Sequence, residues 1–209
     1  MYGLIRIAVV AVLSLTLAAC AGKFKSDVST FHQAIQPQGE AIYIVPIDDA
    51  KRGSLEFKAY ADQVAARLTA LGYRRAKDQA SADLIVRLDY GVDEGQQEIR
   101  STYSGIGLGY GGLGYGYGFG YGYGYDYGFG GFGSDIRSYT VYNRRLKIDI
   151  VRPSVPQTDD NWMVFEGSVV SRGRSNRMTE VMPLLVEAMF TGFPGQSGVT
   201  RRVILDLNK

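Results

Sequence analysis

One cysteine, Cys20, and one histidine, His32, are all that this chain holds of two residue types that carry much protein chemistry. A lone cysteine cannot close a disulfide within the chain or build a cysteine-based zinc cluster. A Ser-His-Asp or Cys-His site would have to use His32, which lies in a polar N-terminal stretch outside the predicted core. A surplus of one charge is also missing. The 23 basic and 21 acidic residues leave +2, and neither half of the chain is strongly biased. The basic footprint of a nucleic-acid-binding protein is therefore absent. Long apolar runs are absent except for one, Ile7 to Ala19. As a helix it spans roughly 20 Å, short of the ~30 Å hydrocarbon core of a bilayer.

That run follows Arg6 and precedes a return of charge at Lys23, which is the plan of a signal peptide over residues 1–19. The cleavage region "LAAC", Leu17 to Cys20, resembles the lipobox of bacterial lipoproteins. The resemblance implies that Cys20 is lipidated and becomes the first residue of the mature chain. More than one acyl chain is needed for lasting attachment, at about 0.8 kcal/mol per buried methylene. Ala21 follows, where an Asp would imply retention in the inner membrane. The resemblance thus implies the outer membrane, with the protein facing the periplasm.

Glycine is abundant, and more than half of its 27 residues fall between Gly105 and Gly133, a stretch with 15 Gly and 7 Tyr. Glycine is costly to order, and this segment has few aliphatic residues to offset that cost. Closing a long loop adds only about 0.6 kcal/mol per doubling of length. The segment reads as a low-complexity insertion in a long hairpin. Its alternating rings, Tyr115, Tyr117, Phe119, Tyr121, Tyr123 and Tyr125, form a candidate contact loop for an envelope protein or carbohydrate. It has no Lys or Arg to meet nucleic acid. "GLGYGG" within it lacks the Lys and the following helix of a phosphate loop.

Residues 20–40 read as the lipidated Cys and a tether, to which "KSDVSTFHQ" adds at most a short edge strand. Residues 41–209 read as one α+β domain. "AIYIVPI" is apolar on both faces, as a buried strand is. In "SLEFKAYADQVAARLTALGY", Phe57, Tyr60, Ala61, Val64, Leu68 and Leu71 make one helical face. Ser54 is its predicted N-cap and Gly72 its left-handed C-terminal residue. Alternation predicts strands in "ADLIVRLDYGVD", "RRLKIDIV", "NWMVFEGSVVS" and "VTRRVILDL". A second helix lies in "RMTEVMPLLVEAMFTGF". The order β-α-β-β-β-α-β predicts a mostly antiparallel sheet with two helices packed on one face.

Among carboxylates, Asp89 and Asp93 share a strand face, but four residues put them roughly 13 Å apart. Glycosidase pairs need about 5–9.5 Å. Asp149, on another strand, is the third candidate. Basic residues gather in "NRRLK", "SRGRSNR" and "TRR", where they are candidates to meet lipid head groups.

The lipobox, "LGY" (Leu71 to Tyr73), "ADLIV" (Ala82 to Val86), "LKIDIV" (Leu146 to Val151), "VFEG" (Val164 to Gly167) and "FP" (Phe193-Pro194) occur in an order that resembles the DUF4136 family of bacterial lipoproteins. The likeness covers the mature chain except the glycine stretch. The family often has Trp where this chain has Phe165. Its function is unassigned, so the resemblance implies fold and location and transfers no catalytic residue. The sequence leads to a non-enzymatic outer-membrane lipoprotein, without cofactor, that organises the envelope or binds as an accessory. A transport-auxiliary lipoprotein binding a lipid or polymer is the alternative, and a carboxylate hydrolase the least favoured.

Overall fold

A computed structural model of the protein describes residues 22–33, 37–102 and 135–207. The lipobox Cys20 and the Gly/Tyr stretch, with Tyr115, Tyr117, Phe119, Tyr121, Tyr123 and Tyr125, lie outside the described residues. The chain forms two compact units, residues 1–95 with 141–209, and residues 96–140. In the second, β5 (Gln96–Thr102) and the first part of β6 (Asp135–Val151) are the described elements. The core and the candidate site described below belong to the first.

The architecture is α+β, with an eight-stranded mixed sheet and, among the described residues, two α-helices. The remaining strands are β1 (Lys23–His32), β2 (Ala41–Pro46), β3 (Arg74–Arg75), β4 (Leu84–Val92), β7 (Met163–Gly173) and β8 (Val199–Asp206). The helices are α1 (Leu55–Ala70) and α2 (Met178–Phe190). The strand order is β3-β2-β4-β6-β7-β1-β8, with β5 pairing β6 off that path. Most pairings are antiparallel, as predicted, but β2 runs parallel to both β3 and β4. The α1 crossover between β2 and β4 causes this. A helix inserted between neighbouring strands returns the chain in the same direction.

Both helices join one apolar core. Tyr60, Val64 and Leu68 of α1 and Met182, Leu185 and Met189 of α2 meet Leu88, Leu146, Ile148 and Ile150 of the sheet. The caps of α1 are as predicted. Ser54 Oγ accepts from Phe57 N–H at 3.0 Å. At the other end Tyr73 N–H reaches Leu68 C=O, and Gly72 N–H reaches Thr69 C=O. That double bond pattern needs the left-handed turn, and Gly72 has φ +110°. Leu71, placed by periodicity on the buried face, is instead 38% exposed, because the helix ends before it.

The largest correction concerns residues 23–32. The sequence reads there as a tether with at most an edge strand, but these residues form a ten-residue strand between β7 and β8. Phe24, Ser26, Val28 and Thr30 face the core and are buried. Two of these four are small polar residues, so the alternation is weak in hydropathy although strict in geometry.

Candidate functional site

The described part of the first unit has a groove of about 420 Å³ between the β2 edge of the sheet and α1. Its position follows from local geometry. A short 3-10 turn, Asp49–Lys51, leads to Gly53, whose φ of +78° reverses the chain. Ser54 then caps α1 and sets Phe57, Ala61 and Ala65 facing β2. Ile42 and Ile44 complete an apolar floor. Leu55, the first residue of α1, stands at the mouth with 84% of its surface exposed.

The rim is ionic. Asp62 accepts from Lys58 Nζ at 3.0 Å and from Arg75 at 2.5 Å. The bonds from Arg75 and Lys58 hold the Asp62 carboxyl below the ordinary carboxylate range. Such an exposed network adds little stability but fixes the long side chains beside the apolar floor.

The sheet edge along this groove is unfinished. β3 pairs β2 only at Ala41 and Ile42. Ala76 N–H donates to Ile42 C=O at 2.9 Å, the last of these backbone contacts along the edge. In a parallel ladder, backbone groups of successive residues point to alternate edges. Ala41 C=O accordingly accepts from the N–H of Asp83, just before β4, while Ile42 and Ile44 face outward.

The carboxylates singled out in the sequence lie elsewhere, on the sheet face away from the helices, and do not converge. Asp89 is opposite Lys147, and Asp149 is opposite Arg87. Asp89 is clasped by Lys51 at 2.5 Å and Arg145 at 3.3 Å. Burial is the largest influence and opposes its ionisation, but Lys51, the Tyr90 backbone and Arg145 together outweigh it and the net shift is downward. Asp93 accepts from the backbone and side-chain N–H groups of Asn143 and from Gly95 N–H, which lower its pKa. Asp149 is 4% exposed, and burial raises its pKa. Its nearest carboxylate in the register is Glu166, directly across on β7. Lys147 Nζ lies 2.9 Å from Glu166 and 3.6 Å from Asp149. Glu166 carried no signal in the sequence, since its role depends on strand pairing.

His32 stacks on Phe165 with centroids 6.3 Å apart. Its ring nitrogens face the carbonyls of Gln33 at 2.7 Å and Gly195 at 3.2 Å, while Ser197 Oγ contacts its backbone instead. The basic clusters also serve the fold. Arg144 is buried against Ser171 and Ser175, Arg201 binds the carbonyls of Met189 and Thr191, and Arg202 pairs with Asp27.

A family profile described as a domain of unknown function, DUF4136, matches residues 23–195. The chain belongs to the DUF4136 family. No curated protein matches it. Among solved structures, a PDZ domain protein from Parabacteroides distasonis aligns at 15% identity with a TM-score of 0.46. That alignment covers 88% of this chain and 39% of the other, so the chain spans well under half of that protein. A PelC dodecamer from Paraburkholderia phytofirmans aligns at 12% identity with a TM-score of 0.34, over 77% of this chain and 91% of the other.

In this DUF4136 domain the segments that carry the resemblance are architectural. "LGY" closes α1, "ADLIV" enters β4, and "LKIDIV" and "VFEG" lie in the central strands β6 and β7. None supplies the groove. Sequence reasoning missed the groove because "AIYIVPI" reads as a buried strand. That β2 lies near an edge, half covered, depends on where β3 ends.

Proposed function

We propose that this DUF4136 chain is a lipid-anchored outer-membrane protein, facing the periplasm, that binds another envelope component without catalysing a reaction on it. The observation that carries the binding role is the groove between β2 and α1, an apolar floor with a fixed ionic rim. Small numbers of polar groups around an apolar floor are the usual make-up of a recognition site. The anchor rests on the lipobox at Cys20. Only Ala21 and Gly22 separate Cys20 from Lys23, the first residue of β1. At no more than ~3.5 Å per residue, a link of this length reaches at most about 10 Å from the anchored residue to an interior strand. An anchored domain would thus work close to the bilayer surface. On this reading the rings of the Gly/Tyr segment, Tyr115 to Tyr125, add a second contact with envelope protein or carbohydrate.

Two other readings have less support. A lipid or polymer carried between sheet and helices would need a space that Val64, Leu68, Leu146, Met182 and Met189 fill. A hydrolase would need two free converging carboxylates, whereas Asp89 and Asp93 are each tied to separate partners and the facing pair, Asp149 and Glu166, shares the Lys147 ammonium. The test is a photoreactive amino acid placed at Lys58 in the full chain, irradiated in living bacteria. A discrete covalent adduct is expected there and not from the same probe at Lys25. No adduct, or the same adducts from both positions, would count against the proposal.

A further inference from the structure

The groove opens where the sheet itself is incomplete. β3 covers Ala41 and Ile42, and the next residue of β2 to face that edge is Ile44. Its backbone N–H and C=O have no partner among the described residues. An unpaired stretch of strand edge is a template for pairing with another chain. Ile44 is half-buried, and its side chain packs against the core at the groove floor. Pro46 follows with a C=O but no N–H, which limits further pairing along the edge.

We infer that the groove takes an extended polypeptide segment, which adds to the free edge of β2 beyond β3 and lays an apolar side chain on Ile44, Phe57 and Ala61. This deepens the binding reading above by naming the ligand class. A donor and an acceptor on one residue of a strand edge ask for a partner with the same spacing, which an extended backbone supplies. The apolar floor then selects the side chain, and the Lys58–Asp62–Arg75 rim meets the peptide's polar atoms. An acyl chain would cover the floor but leave Ile44 unpaired. Pro46 keeps the added strand short, so the groove supplies most of the affinity. Leu55, exposed at the mouth, extends the apolar contact.

The probe is a random-peptide phage library selected on the full chain in detergent micelles. Recovered peptides are expected to slow hydrogen exchange of the Ile44 amide at least about tenfold. N-methylating a peptide's edge-facing amides keeps its side chains but removes the pairing, and is expected to weaken it at least about tenfold. Leu55→Asp, an exposed substitution at a position where an acid suits the helix N-terminus, is expected to weaken binding severalfold. Recovery of no peptide, unchanged Ile44 exchange in the complex, or full affinity of the N-methylated peptide would overturn the inference. The Cys20→Ala chain is expected to bind the same peptides equally, so a failure of the anchor and a failure of recognition read out separately.

Discussion

Phe165 and Gly167 stand two residues apart on the same face of β7, and the ring of the first lies across the second. A Cβ added at Gly167 would fall 2.6 Å from Phe165 Cε1 and 3.0 Å from Met189 Sδ. Phe165 is fully buried and cannot swing away. Gly167→Ala is therefore expected to destabilise the domain by about 1–3 kcal/mol, as overpacking does. Urea denaturation measures it, and an unchanged midpoint would contradict this packing. Asp149 sets a different residue-scale expectation. Burial raises its pKa above 3.8, with Lys147 and Arg87 opposing and Glu166 adding to the rise. The folded state thus holds this proton more tightly than the unfolded state. As pH rises from the unfolded value through the folded one, the unfolded chain ionises first and stability is lost. Asp149→Asn has no such proton. Its stability relative to the parent is expected to improve between about pH 4 and about pH 7, by denaturation at both values. A difference that stays constant or reverses would contradict the assignment.

At the scale of elements, legibility followed the strength of the apolar pattern. α1 was readable because Ser54, Gly72 and an apolar stripe all agreed, and each does what its type predicts except Leu71, which lies past the last helical residue. The inner faces of β4 and β6 were readable because Leu88, Leu146, Ile148 and Ile150 alternate with charged residues. β1 was hidden because Ser26 and Thr30 occupy two of its core positions. The parallel pairing of β2 and β4 was hidden because hydropathy reports burial and not strand direction. Both elements of the candidate groove were foreseen. The groove was not, since it depends on β3 stopping after two residues and leaving Ile44 uncovered. The sequence carboxylates suffered the same limit in reverse. Asp89 and Asp93 read as sharing a strand face, but β4 ends at Val92, before Asp93. Asp149 does lie on another strand, and register puts a basic residue opposite both it and Asp89.

For the whole molecule, the interior position of β1 changes how close a lipid anchor at Cys20 would hold the domain to a bilayer. A tether of twenty residues would let the domain range away from the bilayer. With β1 starting at Lys23, the link from Cys20 holds only Ala21 and Gly22. The anchored-protein account therefore depends on one covalent event at Cys20. Metabolic labelling with a fatty-acid probe, comparing the parent chain with Cys20→Ala, measures that event directly. The account predicts label on the parent chain and none on Cys20→Ala, with the parent recovered in the outer-membrane fraction. Equal labelling of the two, or no label on either, would contradict it.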